Sequence, residues 1–118
     1  MGTWFAAPGR APAPGKAPRK ALPPRKAAHA AECQRLEQLP NIGPSIAGDL
    51  RQIGIEQPGD LRDQDPLRLY QRLCTVTGQR HDPCVLDTFM AAVDFMGGAP
   101  ARPWWDYTAI RKQRYGAL

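Results

Sequence analysis

Three side chains in the second half of the chain are of the types that bind metals or attack electrophiles: Cys74, His81 and Cys84, in a C-x6-H-x2-C spacing. With Cys33 or Asp82 as a fourth ligand they would make a tetrahedral zinc site, but zinc knuckles pair their ligands across C-x2-C or H-x3-H, and only His81 to Cys84 approaches that. Cys84 also falls in the first turn of an expected helix, where the dipole would lower its pKa and favour a reactive thiolate. The third use of these residues is packing, because cysteine is among the side chains most often buried. Packing is the reading adopted, so neither a metal nor another cofactor is expected. No serine, histidine and acid stand in a triad order, and there is no phosphate-binding loop or close carboxylate pair. The chain does not read as an enzyme.

The backbone offers a different chemistry. Leu39-Pro40-Asn41-Ile42-Gly43-Pro44-Ser45 reads as a helix exit, a tight turn and the start of a second helix. Gly43 is expected at positive φ, Asn41 suits a turn, and Pro44 fits the first helical position, where no N–H is needed. Such a hairpin turns free backbone N–H groups outward, the arrangement by which a helix end holds phosphate. Asn41, Ile42, Gly43, Pro44, Ser45 and Arg51 are the candidate DNA-binding residues here. A cation usually follows the glycine, but here that place is taken by Ser45, and Asp49 adds the opposite charge. Arg51 is the nearest basic residue in the second helix.

Charge divides sharply along the 118 residues, whose formal net is +5. Residues 1–31 hold six cations and no acid, residues 32–101 hold six arginines against ten acids, and residues 102–118 hold four cations against Asp106. An acidic body is a poor footprint for nucleic acid, so affinity would fall to the tails: Arg10, Lys16, Arg19, Lys20, Arg25 and Lys26 before it, Arg111, Lys112 and Arg114 after it. Trp104 and Trp105, flanked by Arg102 and followed by Tyr107, admit two readings. They close the end of a helical core, or they stack bases of a single strand.

The elements that must position these groups are helical. Residues 1–26 are rich in Ala, Pro, Lys and Arg and cannot bury enough apolar area to order themselves, so they read as a disordered basic arm. A first helix is expected from Ala27 or Ala30 to Leu39, with Cys33, Leu36 and Leu39 on one face, and a second through Ile46, Ala47, Leu50 and Ile53. The second should end at Gly54 in a left-handed cap that brings Ile55 to Leu50. A short turn at Gln57 to Arg62 follows. Asp65-Pro66 and Asp82-Pro83 then open two further helices, to about Thr75 and to Met96. Val85, Leu86, Phe89, Met90, Val93 and Met96 make the latter the strongest amphipathic stripe and the expected spine of the core. The fold class is all-α, a small helix-hairpin-helix domain of four to five helices over residues 27–108. Residues 109–118 read as a basic tail, a frayed helix or none.

Three cysteines and no apolar signal core argue for a reducing, cytoplasmic setting, and no run is long enough to span a membrane. Met1-Gly2 begins like a myristoylation site, but Ala6 stands where Ser or Thr is wanted.

LPNIGPSIAGDLRQIGI, DLRDQDPLRLYQRL, TGQRHDPCVLDTFMAAVDFM and PARPWWDYT together resemble the small bacterial helix-hairpin-helix proteins called pathogenicity-locus or mitomycin-resistance proteins. The likeness runs from about Glu37 to Thr108, with His81 to Cys84 and Pro103 to Trp105 as its most specific segments. The first half is also similar to the C-terminal domain of TfoX-type competence regulators. The resemblance implies a bacterial, cytoplasmic helical domain associated with DNA, and it does not extend to the basic arm. Residues and resemblance together lead to the expectation of a sequence-nonspecific DNA-associated binding module, weakly bound and salt-dependent. The alternative is a protein–protein interaction adaptor in a bacterial DNA-repair, stress or drug-resistance context.

Overall fold

Proline opens three of the four α-helices among the described residues. A computed structural model describes residues 25–116 and gives α1 (Pro44–Gln52), α2 (Pro66–Thr77), α3 (Pro83–Met96) and α4 (Thr108–Tyr115). There is no strand among the described residues, and the all-α class holds. Each proline occupies the first turn, where a missing N–H breaks no helical bond. Asp65 Oδ1 accepts from the Leu67 N–H at 3.0 Å and Asp82 Oδ1 from the Cys84 N–H at 2.9 Å, so α2 and α3 are capped as their sequences predict. α1 ends in the expected left-handed cap: Gly54 has φ +95° and the Ile55 N–H donates to Leu50 O at 3.0 Å.

The first expected helix is corrected. Two 3-10 turns, Ala30–Glu32 and Leu36–Gln38, replace it, separated by extended residues. Cys33, Leu36 and Leu39 are all buried, as their spacing requires. A repeat of three, however, is the period of a 3-10 helix as much as an approximation to an α-helical face. Gln38 reinforces the break, its Oε1 accepting from the Gln34 and Arg35 N–H groups at 2.9 Å each.

The hairpin turn is also built differently. The Ile42 N–H donates to Leu39 O at 3.2 Å, with Pro40 and left-handed Asn41 (φ +68°) at the central positions. This is the type II pattern, which wants proline first and a residue tolerant of positive φ second. Gly43, expected at positive φ, is instead the extended N-cap of α1 at φ −97° and ψ −174°.

α3 is the spine, but not as a stripe. Nine of its fourteen residues are buried, including Phe89, Phe95, Asp87 and Thr88, and only Asp94 is exposed, so most of the helix surface is covered. α2, α4, the 3-10 turn Pro58–Leu61 and the 3-10 turn Trp104–Tyr107 all pack on it, while α1 packs on α2 and on Leu36–Gln38. Asp87 and Thr88 are therefore buried polar side chains that need partners inside the domain. Thr88 satisfies itself through Cys84 O at 3.0 Å.

Asp87 recruits α4. Its carboxylate accepts from the Thr108 hydroxyl at 2.8 Å and from Arg111 Nε at 2.5 Å. The segment read as a basic tail is therefore an ordered helix as far as Tyr115, held by a buried ion pair. No helix among the described residues is long and apolar enough to cross a membrane.

Candidate functional site

The turn at Asn41 to Ser45 leads into the one described α-helix of the first three that no side chain caps. Its first-turn N–H groups have no partner within the helix, and Pro44 and Ser45 are exposed beside them. An added Cβ at Gly43 would meet nothing within 4 Å, so open space surrounds the backbone there.

Two cations beside this turn are engaged within the domain. Arg51 reaches across to Glu37, with guanidinium–carboxylate distances of 3.2 Å, and that bond holds the Glu37 carboxyl below the usual range. Lys26 folds back onto the turn. Its Nζ donates to Glu37 O and Leu39 O at 2.9 Å and to Ile42 O at 2.6 Å, three carbonyls that no helix or sheet satisfies. Partial burial lowers the Lys26 pKa, opposed by Cys33 and Glu37. The residue assigned to the arm by composition thus belongs to the hairpin.

Of the other tail cations, Arg10, Lys16, Arg19 and Lys20 lie outside the described residues. Arg25, Lys112 and Arg114 are exposed, and Arg114 lies over the Tyr115 ring at 5.9 Å. Arg111 is withdrawn into its pair with Asp87.

The hairpin meets the aromatic segment. Asn41 Nδ2 donates to Arg102 O at 2.8 Å, a link between positions 61 residues apart. From there the chain enters the 3-10 turn Trp104–Tyr107, whose last residue is buried against α3. Burial and the neighbouring Asp94 carboxylate push the Tyr107 pKa up. Trp105 is the exception, 62% exposed. Core closure is therefore the work of Tyr107, not of the whole cluster.

Cys74, His81 and Cys84 are not gathered into a ligand set: among the described residues no three His, Cys, Asp or Glu side chains are placed to hold a metal. The Thr77 hydroxyl donates to Leu73 O at 2.8 Å, which leaves its oxygen to accept from His81 Nε2–H at 2.8 Å, and the Tyr70 hydroxyl donates to His81 O. His81 is thereby a brace between α2 and the start of α3. Burial, then the Asp82 carboxylate, push the Cys84 thiol above the ordinary range, the direction opposite to that of a reactive thiolate.

Three relationships escaped sequence reasoning: Lys26 with the turn carbonyls, Asn41 with Arg102, and Asp87 with Arg111. Only the last carried a signal. An acid between Leu86 and Phe89 in an apolar helix needs a buried partner, and the downstream cations supplied candidates.

Residues 29–113 match the family model described as Cdd1, pathogenicity locus. The Mitomycin resistance protein McrB of Streptomyces lavendulae is 53% identical over 78 residues, which cover 66% of this chain and 74% of that protein. No solved structure matches.

Proposed function

The chain belongs to the Cdd1 pathogenicity-locus family, and from that premise we propose that it is a cytoplasmic, sequence-nonspecific DNA-associated binding module and not an enzyme. The observation that carries this reading is the bare N-terminus of α1, whose unpartnered amides open onto solvent beside an extended Gly43 with room around it. α2 and α3 have this position filled by aspartates, which would repel a phosphate. With Lys26 and Arg51 engaged inside the domain, most of the counterion release falls to Arg10, Lys16, Arg19, Lys20, Arg25, Lys112 and Arg114.

The test is a salt titration of duplex binding by the full chain, against a variant with Arg10, Lys16, Arg19 and Lys20 all changed to Gln. If each contacts a phosphate, the slope of log K on log salt becomes shallower by about 3–4 in the variant. Absence of binding at low salt defeats the reading.

The Arg51–Glu37 pair favours a second reading, a protein-interaction adaptor in a bacterial repair, stress or resistance context, because it neutralises the hairpin's own cation. The relative's name links that protein to mitomycin resistance, which suits either reading. Under the adaptor reading Gly43→Ala leaves DNA affinity unchanged and alters partner capture. Under the DNA reading it weakens DNA binding, because the new methyl stands where a phosphate approaches the amides.

A further inference from the structure

Resting on the DNA reading above, we infer that Trp105 is a stacking platform for an unpaired base, so that the preferred partner is single-stranded DNA or a strand with unpaired bases, not intact duplex. Large aromatic side chains are normally drawn into the core, yet this indole is 62% exposed on a segment that is otherwise well anchored. Tyr107, two residues on, is buried at 3% exposure, its hydroxyl beside Asp94 of α3 and its ring beneath the Arg102 guanidinium at 5.9 Å. The Asp106 N–H donates to Pro103 O at 3.1 Å, closing the turn under Trp105. Trp104, half-buried, meets Trp105 edge to face at 5.7 Å and 82°, which gives the exposed ring an aromatic neighbour on one side. A side chain held this firmly in water loses little conformational freedom when a flat partner stacks on it.

The surroundings select the class of flat partner. Arg102, Lys112 and Arg114 are exposed on the same short stretch of chain, opposed within it by Asp106, 3.6 Å from Arg102 Nε, and beside it by the exposed Asp94 of α3 at the Tyr107 hydroxyl. Arg111 adds no surface charge because Asp87 holds it inside. An exposed aromatic among cations is the composition that tracks a single strand, with phosphates meeting the charges and bases meeting the ring. Within a duplex the base faces are covered by their neighbours and cannot reach an indole. The position is also right for the hairpin: Asn41 holds Arg102 O at 2.8 Å, and the three residues from Arg102 to Trp105 span at most about 11 Å. A strand whose phosphate lies at the α1 turn has its bases within a few nucleotides of Trp105.

The experiment compares three probes on the full chain at low salt: an oligothymidylate of about 15 nucleotides, an abasic strand of the same length and charge, and a duplex. Wild type should bind oligothymidylate about tenfold or more tighter than the abasic strand. Trp105→Ala should lose that difference while keeping its affinity for the duplex, and Trp105→Phe, which retains a ring, should keep most of it. An oligothymidylate preference that survives in Trp105→Ala overturns the inference, as does an equal loss on all three probes; either result leaves DNA binding itself intact. Failure of wild type to bind any of the three overturns the DNA reading, and this inference with it.

Discussion

Arg111 Nε lies 2.5 Å from Asp87 Oδ1, with the aspartate side chain 1% and the arginine side chain 10% exposed. The pair joins the central helix to the last one, and the Thr108 hydroxyl occupies the second carboxylate oxygen at 2.8 Å. Because Arg111 is the cation paired directly with the buried Asp87 carboxylate, removing it strands that charge in the interior. Arg111→Met should therefore lower the unfolding free energy by about 3–5 kcal/mol. The double variant Asp87→Leu/Arg111→Met should recover most of that loss. Urea denaturation of the four species tests the coupling, and simple additivity of the two single changes would refute it.

Lys26 draws together the carbonyls of Glu37, Leu39 and Ile42. Lys26→Met keeps the aliphatic stem but removes the donor from Glu37 O and Ile42 O, Leu39 O keeping the Ile42 N–H, and it should destabilise the domain by about 1–3 kcal/mol. The neighbouring Arg25, exposed to solvent, gives the control: Arg25→Met should fall within about 0.5 kcal/mol of wild type. Denaturation midpoints of the two variants should separate clearly, since one cation is part of the fold and the other is not.

The glycines at the two ends of α1 should respond differently: Gly54 holds the left-handed cap expected of it, and Gly43 does not take the positive φ expected of it. Gly54 has φ +95°, a conformation that strains any L side chain, so Gly54→Ala should cost about 1 kcal/mol or more. Gly43 is extended with nothing within 4 Å of an added Cβ, and Gly43→Ala should cost only about 0.5–1 kcal/mol, from a poorer N-cap. Thermal unfolding of both variants decides the order. A larger loss at Gly43 would mean that the turn requires something beyond its backbone angles.

What could be read from the residues follows from how local each cause is. Asp65-Pro66, Asp82-Pro83 and Gly54 act on their own neighbours, so the starts of α2 and α3 and the end of α1 were legible. The segment through Cys33, Leu36 and Leu39 was legible in which residues it buries and illegible in its helix type, since a repeat of three suits both. Positive φ was expected at Gly43, and the Pro40–Asn41 turn gives it to Asn41 instead. Lys26, Arg111 and Arg102 were hidden for a different reason. Their partners lie 11 to 61 residues away, and composition alone gives a lysine in a capping role the same appearance as one in an arm.

Acid should weaken the fold partly through Glu37. Its carboxyl is held below the ordinary range by Arg51, so the folded pKa is lower than the unfolded one and the unfolded chain takes up protons first. The contribution is complete above the ordinary glutamate range and is lost as pH falls through the lowered value. Asp82, depressed by the Cys84 N–H, acts in the same direction. Glu37→Gln should flatten this acid limb when urea midpoints are followed from about pH 7 to about pH 3. An acid limb as steep as wild type would place the pH dependence elsewhere.

The same substitution tests the hairpin as a phosphate site. In the wild type Arg51 is turned toward Glu37, 3.2 Å away, and so a cation on the helix that follows the turn contributes little to any anion bound there. Glu37→Gln removes the opposing charge and frees the guanidinium while the Gln carbonyl keeps one acceptor in place. If DNA phosphates meet the α1 amides, the variant should bind duplex more tightly, and its slope of log K on log salt should steepen by about 0.9, one additional phosphate contact. An adaptor that does not use this turn for DNA gives no such change. Because the gain requires Arg51, the double variant Glu37→Gln/Arg51→Gln should return to the wild-type slope, which separates a contact made at the hairpin from a general rise in positive charge.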